Sequence, residues 1–362
     1  MYLYLLLPIL SLITVVDAQA DQVVLHYQIY EEIRAGRYIG NVKDDANLAQ
    51  KYTDISTLQQ LRFQFLSQPA TNFLIEVKTG VIKTSGRLDR DTICPNMEGC
   101  EFKLDVAVQP VHYFEIIKVT VDILDINDNF PTFPQSKISH EVLESALPGN
   151  SFVIPTAVDP DSPEFGIQRY QLATGEEKFE LKTAQKVDGS LSVKLLLKEK
   201  FNREVQDTYH VQIVAYDGGV PPKSGSIDVT IIVLDSNDNP PVFQNSTYYV
   251  NIMENVPIFT TIAHVSATDQ DIGINGEVVY TFSTQTQETY GHLFGLEPET
   301  GAIFVQGNID YEKASIYTLS VIAKDKGADS IPADATVIVT VKDVNDHPPD
   351  ITVNTLSASA TR

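Results

Sequence analysis

The stretch Asp125-Ile126-Asn127-Asp128-Asn129-Phe130-Pro131 decides the fold, because the chain repeats its pattern twice. It returns as Asp235-Ser236-Asn237-Asp238-Asn239-Pro240-Pro241 and as Asp343-Val344-Asn345-Asp346-His347-Pro348-Pro349. The intervals are 110 and 108 residues, about the size of a β-sandwich domain. A pattern that recurs at this spacing predicts a tandem array of similar domains.

An alternating apolar segment precedes each copy of this linker motif. Ile117, Val119, Val121 and Ile123 alternate with other residues before the first copy, and positions 227–233 and 337–341 repeat the pattern. A period of two predicts a strand with one buried face. An earlier strand follows the same rule at 102–108, 209–215 and 317–323, and no convincing long amphipathic helix is found. The predicted fold is all-β: tandem Greek-key β-sandwich repeats, joined by linkers that end in proline.

The N-terminal segment predicts a secreted protein. Tyr2 to Val16 is an almost unbroken apolar run that ends in small residues, which is typical of a signal peptide, 1–18, with cleavage after Ala18 or Ala20. No other stretch has the 18 or more apolar residues that a transmembrane helix needs. We therefore expect a chain that is secreted as it stands, with any membrane anchor of a longer parent beyond Arg362.

Charge, cysteines and missing motifs narrow the class of function. The 48 acidic and 26 basic side chains give a formal charge of −22, which excludes nucleic acid as a natural partner. Cys94 and Cys100, six positions apart in a secreted chain, predict a local disulfide. The chain has no Gly-x-Ser-x-Gly elbow, no His-Glu-x-x-His and no glycine-rich phosphate loop, so neither an enzyme nor a small-molecule substrate is expected.

The linker motif itself indicates a metal. Asp and Asn side chains supply several hard oxygen atoms within five residues, and Ca²⁺ takes six to eight such ligands. One copy alone is typical of an ordinary turn, but three copies at domain spacing favour Ca²⁺. A single linker cannot complete the coordination, so the flanking domains must contribute.

The repeats, aligned to one another, provide the missing ligands. Each has a glutamate after an early strand and a later acidic triplet, and the second and third repeats add an Asp-x-Asp pair and a further aspartate. The predicted ligands of the first junction are Glu31, Asp89, Asp91, Asp125, Asn127, Asp128, Asn129, Asp159, Asp161 and Asp217. Those of the second junction are Glu144, Asn202, Glu204, Asp235, Asn237, Asp238, Asn239, Asp269, Asp271 and Asp325. An incomplete third junction has Glu254, Asp310, Glu312, Asp343, Asn345 and Asp346.

These residues resemble the Ca²⁺-binding signature of the cadherin superfamily over nearly all of the mature chain. The Cys94–Cys100 segment of the first repeat and the absence of tryptophan resemble the N-terminal ectodomain repeats of the protocadherins, ending after the third repeat. The resemblance implies Ca²⁺-dependent cell–cell adhesion at the cell surface or plasma membrane, with the same or a related protocadherin on the facing cell and an antiparallel overlap of repeats. The alternative is a truncated secreted isoform that acts as a soluble decoy or as a heterophilic receptor-binding module.

Departures from the family pattern carry further expectations. Asp91 stands where glutamate is usual, and Asn202 puts a neutral amide where aspartate is expected, so weaker Ca²⁺ binding is predicted at the second junction. His347 replaces asparagine and is interpreted as a linker substitution, since its neighbours are hard oxygen ligands that suit Ca²⁺ and not a transition metal.

The repeat boundaries and one modification site complete the prediction. Repeats are expected at 19–130, 131–240 and 241–348, followed by 349–362 as the start of a missing fourth repeat or a C-terminal tail. Asn245-Ser246-Thr247 is the only N-glycosylation sequon.

Overall fold

Three groups of strands follow one another along the chain, and each group ends on one of the predicted alternating segments. The computed structural model describes residues 23–66, 72–95, 97–110, 114–186 and 191–346. The predicted signal peptide, His347 and residues 349–362 lie outside the described residues.

Each group, called here repeat one, two or three, is defined by its strands. Repeat one comprises β1 (Val24–Tyr30), β2 (Tyr38–Asn41), β3 (Arg62–Phe65), β4 (Phe73–Ile75), β5 (Val81–Thr84), β6 (Glu101–Gln109) and β7 (Glu115–Leu124). Repeat two comprises β8 (Lys137–Leu143), β9 (Ser151–Ile154), β10 (Arg169–Leu172), β11 (Phe179–Gln185), β12 (Leu191–Leu197), β13 (Thr208–Tyr216) and β14 (Ser224–Leu234). Repeat three comprises β15 (Val242–Phe243), β16 (Thr247–Met253), β17 (Thr261–His264), β18 (Ala267–Thr268), β19 (Val279–Phe282), β20 (Phe294–Leu296), β21 (Ala302–Val305), β22 (Ile316–Lys324) and β23 (Ala333–Lys342).

The same pair of sheets recurs in every repeat. A four-stranded sheet has the order β1-β7-β6-β3, β10-β13-β14-β8 or β16-β23-β22-β19, and a three-stranded sheet has the order β2-β5-β4, β11-β12-β9 or β17-β21-β20. Repeat three adds a two-stranded pair, β15 with β18. The predicted all-β sandwich fold is confirmed.

The apolar face of the last strands forms the core, as their period of two predicts. Val119 and Val121 of β7, Val229 and Ile231 of β14, and Val337 and Val339 of β23 are all buried. Burying one such side chain stabilises the fold by roughly 1.5–3 kcal/mol. The buried stripe therefore fixes which face of each last strand points inward, and with it the direction in which the following linker leaves.

Short helices are the one addition that the sequence did not predict. They are α1 (Val42–Asp45), α2 (Leu48–Lys51), α3 (Ile55–Gln60), α4 (Arg90–Ile93) and α5 (Thr284–Tyr290), with a 3₁₀ turn at Gly273–Asn275. Each is at most seven residues long, too short to show an amphipathic period. Buried Val42 and Leu48 attach the first two to the core of repeat one.

The chain divides into two compact units. One comprises Met1–His140, Leu147–Glu199 and Tyr209–Ile231, and the other comprises Glu141–Ala146, Lys200–Thr208 and Ile232–Arg362. All predicted ligands of the first junction belong to the first unit, and all those of the second and third junctions belong to the second.

Among the described residues, no helix combines the length and the apolar character that crossing a lipid bilayer requires.

Candidate calcium-binding junctions

Strand pairing brings each predicted glutamate to the linker. β1 runs parallel to β7, with Tyr30 opposite Leu124, and β16 runs parallel to β23, with Met253 opposite Lys342. The residues that follow each pair therefore emerge side by side. Glu31 lies beside Asp125 in this way, and the backbone N–H of each glutamate donates to the last carbonyl of the neighbouring strand.

The three glutamates are held by the same two hydrogen bonds. Glu31, Glu144 and Glu254 are only 2%, 3% and 3% exposed. In each, one carboxylate oxygen accepts the N–H of the middle residue of the acidic triplet, and the other accepts the N–H of the second residue of the linker motif. The distances are 2.6 Å from Arg90 and 3.1 Å from Ile126, 3.0 Å from Arg203 and 2.7 Å from Ser236, and 2.9 Å from Tyr311 and 2.6 Å from Val344.

The first residue of each acidic triplet caps its own turn. Asp89 accepts the N–H of Thr92 at 3.0 Å, Asn202 accepts that of Val205 at 2.8 Å, and Asp310 accepts that of Lys313 at 3.3 Å. An amide oxygen performs this role as well as a carboxylate does. Asn202 therefore keeps the local turn of the triplet while bringing no negative charge to the second junction.

At the first junction, the linker forms hydrogen bonds with repeat two. The side-chain amide of Asn127 donates to Asp217 at 2.8 Å, and Ser162 donates its backbone N–H to Asp125 at 2.6 Å. Gly219 leaves room for the first contact, because a Cβ added to it would lie 1.9 Å from Nδ2 of Asn127.

One amide nitrogen of the first junction lies within hydrogen-bond distance of three carboxylates. Nδ2 of Asn129 donates to Asp91 at 2.6 Å, to Asp161 at 2.7 Å and to Asp128 at 2.9 Å. Carboxylate oxygens of Asp91, Asp125 and Asp161 lie within 4.8 Å of one another, as do those of Glu31, Asp91 and Asp128. The predicted ligands of the first junction thus converge.

Many of the converging oxygens are buried without a hydrogen-bond donor. At the first junction these are Oδ1 of Asp91, Asp125 and Asn127 and Oδ2 of Asp159 and Asp161; at the second they are Oδ1 of Asn237 and Oδ2 of Asp269. Each buried acceptor without a partner costs about 1–3 kcal/mol. Such a set of hard oxygens fits a hard divalent cation of the Ca²⁺ type.

Burial and mutual repulsion perturb the acids of the first junction. Burial raises the pKa of Glu31 to about 8, and burial together with the neighbouring charge of Asp161 raises the pKa of Asp91 to about 7. Burial also raises the pKa of Asp159 to about 6. Burial therefore leaves Glu31 and Asp91 partly protonated near neutral pH, whereas Asp159 is largely ionised there.

The second junction repeats much of this arrangement. Nδ2 of Asn237 donates to Asp325 at 2.9 Å, and Nδ2 of Asn239 donates to Asp271 at 2.7 Å and to Asp238 at 2.9 Å. Burial raises the pKa of Glu204, Asp238 and Asp269. Carboxylate oxygens of Glu144, Glu204 and Asp235 lie within 4.8 Å of one another.

The two junctions differ in the arginine at the centre of the triplet. Arg203 donates from Nε to Asp235 at 2.6 Å and from a terminal nitrogen to Glu204. Arg90 is buried at the first junction, yet its Nη1 lies 3.8 Å from Asp91 and 3.7 Å from Asp125 without a hydrogen bond.

The third junction shows part of the same geometry. Carboxylate oxygens of Glu254, Asp310 and Glu312 lie within 4.8 Å of one another. Lys313 donates to Asp310, with 3.1 Å between the charged atoms, and this hydrogen bond lowers the pKa of Asp310. Asp343, Asn345 and Asp346 are exposed, and Asp346 accepts from the side chain of Asn255 at 2.5 Å.

Several residues at the junctions were missed by the sequence alignment of the repeats. Glu32 lies within 4.8 Å of Glu31 and Asp89 and is paired with Arg87. Asn275 donates to Asp235 at 2.9 Å. The acidic doublet Glu31-Glu32 was a visible signal for the first, whereas Asn275 sits in a 3₁₀ turn that carries no motif.

The predicted cysteine pair and the sequon also have definite places. Cys94 and Cys100 are joined at an S–S distance of 2.09 Å in the segment that follows α4. The carbonyl of Met97, inside this loop, accepts a hydrogen bond from Arg90. Asn245 is exposed and precedes β16 by two residues.

Sequence comparison then identifies the family. Residues 138–234 and 248–342 match the cadherin domain, and residues 24–110 match the cadherin-like domain. The chain belongs to the cadherin superfamily. Within it, the similar proteins described below are protocadherins, as the cysteine segment and the absence of tryptophan predict.

Three relatives illustrate the likeness. The chain is 40% identical over 334 residues to Protocadherin-19 of Danio rerio. The matched region covers 90% of the chain and 29% of the relative. It is 36% identical over 352 residues to Protocadherin-10 of Homo sapiens, covering 92% of the chain and 33% of the relative. The solved structure of mouse clustered PcdhgC3 EC1-3 shares 34% identity at a TM-score of 0.78, covering 88% of the chain and 99% of that structure.

The chain spans about a third of the length of the curated protocadherins that it matches. Cadherins and protocadherins form an adhesion family that is not known for enzymes. Cadherin domains bind Ca²⁺ at their linkers, and it is at the linkers that the buried oxygen atoms of this chain collect.

Proposed function

We propose that this chain is a Ca²⁺-dependent recognition segment of a cell-surface adhesion protein. The observation that carries the proposal is the repeated clamp on Glu31, Glu144 and Glu254, next to buried oxygen atoms with no donor. The clamp orients one carboxylate per repeat toward a linker, and the oxygen atoms around it suit Ca²⁺.

The ligands at each linker are the sets predicted from the sequence. At the first junction, eight carboxylates, Glu31, Asp89, Asp91, Asp125, Asp128, Asp159, Asp161 and Asp217, would hold the ions together with the amide and backbone oxygens of Asn127 and Asn129. Bound Ca²⁺ supplies the positive charge that offsets repulsion among these carboxylates. The protein residues position the oxygens, and the glutamate clamp ties the end of one repeat to the linker that leads to the next.

Adhesion is proposed to be homophilic, through an antiparallel overlap of repeats with the same or a related protocadherin on a facing cell. Support comes from the likeness to protocadherin ectodomains. The repeats are proposed to span 19–130, 131–240 and 241–348 in an extracellular location. Asn245, exposed before a strand, is proposed to carry an N-linked glycan.

Bead aggregation with the full ectodomain tests this function. Beads that carry it should aggregate in Ca²⁺ and disperse in chelator, and a mixture with differently labelled beads that carry another protocadherin should sort into separate aggregates. Mixed aggregates would favour heterophilic recognition. Beads that never aggregate, although the ectodomain binds Ca²⁺ in calorimetry, would contradict adhesion and leave the metal sites standing.

A further inference from the structure

The middle residue of the acidic triplet has two tasks that can be separated. Its backbone N–H binds the clamped glutamate in all three repeats. Its side chain is Arg90 in repeat one, Arg203 in repeat two and Tyr311 in repeat three. The backbone task is common, so any difference between the junctions at this position lies in the side chain.

At the first junction, the arginine lies near the ligand carboxylates but donates no hydrogen bond to them. Arg90 is 1% exposed, and one terminal nitrogen donates to the carbonyl of Met97 in the disulfide loop. Its Nη1 stays 3.7 Å from Asp125 and forms no hydrogen bond. Oδ1 of Asp91 and Oδ1 of Asp125 remain without a donor.

At the second junction, the arginine is inside the ligand set. Nε of Arg203 donates to Asp235 at 2.6 Å, and a terminal nitrogen donates both to Glu204 and to the carbonyl of Gln270, the latter at 3.0 Å. The side chain of Arg203 is 11% exposed. No buried oxygen of Asp235 or Glu204 lacks a donor among the described residues, unlike the corresponding oxygens of the first junction.

We propose that Arg203 is a built-in cation of the second junction that competes with Ca²⁺ for Asp235 and Glu204. The proposal rests on the Ca²⁺ function proposed above. Guanidinium–carboxylate hydrogen bonds are strong because both partners are charged, and those of Arg203 are largely shielded from water. Before Asp235 and Glu204 can turn to a metal ion, these bonds must break, which lowers the affinity for the ion.

The same contacts stabilise the junction when Ca²⁺ is absent. Gln270 lies between Asp269 and Asp271, so the bond to its carbonyl ties the triplet of repeat two to the Asp-x-Asp pair of repeat three. Arg90 makes no equivalent bond to residues 159–161 in the described structure. The second junction should therefore bind Ca²⁺ more weakly and stay better ordered without it.

The test is the Ca²⁺ concentration that protects the linker around Asn237 from proteolysis, with the fragments identified by mass. It is applied to the whole chain and to Arg203→Met, which keeps the aliphatic stem and removes the charge. Arg203→Met should reach half-protection at an about three- to tenfold lower Ca²⁺ concentration, which corresponds to about 0.6–1.4 kcal/mol and lies within the range of one ordinary hydrogen bond. In chelator, the same variant should be cut faster than the wild type near Asn237.

Two further variants serve as controls. Lys326→Met removes a positive charge next to Asp325, but Lys326 pairs with Glu277 and contacts no predicted ligand, so its protection curve should stay unchanged. Arg203→Lys keeps the charge without the planar fork, and its half-protection should fall between those of the wild type and Arg203→Met. It also serves if Arg203→Met fails to fold.

The outcomes separate the two proposals. A wild-type chain that binds Ca²⁺, with both Arg203 variants unchanged or weaker in affinity, overturns the role of Arg203 alone. If Ca²⁺ affinity increases as much in Lys326→Met as in Arg203→Met, the role of Arg203 is also overturned, because the increase would then follow from the change in net charge. A wild-type chain that binds no Ca²⁺ in calorimetry overturns the metal function and this inference together.

Discussion

The first and second junctions share a backbone frame and differ in the charge placed within it. Both hold a buried glutamate by two N–H groups, and in both an asparagine amide contacts the aspartate that follows β13 or β22. The first junction has Asp89 where the second has Asn202. Arg90 of the first junction donates to the carbonyl of Met97, whereas Arg203 of the second donates to Asp235. The comparison shows that the same backbone frame can hold different side-chain charges.

The removal of Ca²⁺ should produce the largest difference in behaviour between the two junctions. We expect chelation to loosen the first junction more than the second, since the arginine of the second junction donates hydrogen bonds to its carboxylates and Arg90 of the first does not. Proteolysis should increase near Asn127 and, to a smaller extent, near Asn237, and small-angle scattering should report a more flexible chain. Equal cutting at both linkers, or a scattering profile that chelator does not change, would contradict this expectation.

Loss of the glutamate clamp should affect both junctions equally. Glu31→Ala and Glu144→Ala each leave two backbone N–H groups without an acceptor, at a cost of about 2–6 kcal/mol, since each unsatisfied group costs 1–3 kcal/mol. Chemical denaturation should measure the loss in stability, and calorimetry the loss of Ca²⁺ binding at that junction. Glu141→Ala is the control, because Glu141 is exposed on β8 close to Glu144. A frame shared by the junctions is wrong if one variant is harmless and the other severe.

The next largest effect is expected from adding a methyl group to a glycine in the loop that follows β13 or β22. A Cβ on Gly219 would lie 1.9 Å from Asn127, and one on Gly327 would lie 2.3 Å from Asn275 and 2.7 Å from Asn237. Gly219→Ala and Gly327→Ala should each destabilise the chain by about 1–3 kcal/mol and displace the asparagine. Gly86→Ala is the control, because nothing lies within 4 Å of its added Cβ. Thermal unfolding should rank Gly219→Ala as the more damaging of the two.

The pH dependence of Ca²⁺ affinity should be steeper at the first junction. Burial raises the pKa of Glu31 to about 8, of Asp91 to about 7 and of Asp159 to about 6, all above their unfolded values near 4. These groups favour the metal-free fold below about pH 4, and this contribution is lost as the pH rises through 6 to 8. Ca²⁺ requires the ionised forms, so binding should release protons and tighten across that window. Calorimetry in two buffers of different ionisation enthalpy measures the release, and Glu31→Gln should reduce it.

The smallest effect is expected from making the second junction resemble the first. Asn202→Asp preserves the cap on Val205 and adds one carboxylate, so Ca²⁺ should bind about two- to fivefold more tightly there, the range for a partly exposed charge. The protection curve near Asn237 measures this change. An unchanged curve would assign the weaker affinity to Arg203 alone.

Much of the frame could be predicted from the sequence because it depends on local patterns. The alternating residues of β7, β14 and β23 report burial directly, and the linker motif, with the glutamate after β1, β8 and β16, recurs at fixed spacing. The side-chain contacts within this frame could not be predicted, because they depend on where the charged ends of long side chains lie. Arg90 and Arg203 stand at equivalent positions, yet Arg90 donates to the loop carbonyl of Met97, whereas Arg203 donates to carboxylates of its junction.

The residues missed at the junctions have the same explanation. Asn275, which lies in a 3₁₀ turn, donates to Asp235. Gly219 matters because the side chain of Asn127 lies close to its Cα. Both are tertiary contacts without a sequence period. The helices of repeat one belong to this class too, since Val42 and Leu48 are held by the core and not by an amphipathic pattern.

The parallel pairing of β16 with β23 has a mechanical consequence. A pull between the N-terminal end of β16 and the linker after β23 acts along both strands in opposite directions, in shear. The seven residue pairs from Thr247 opposite Thr336 to Met253 opposite Lys342 then share the load at once, instead of opening one after another like a zipper. A chain pulled in this way would resist the separation of β16 from β23 more than one whose strand pairs open in sequence.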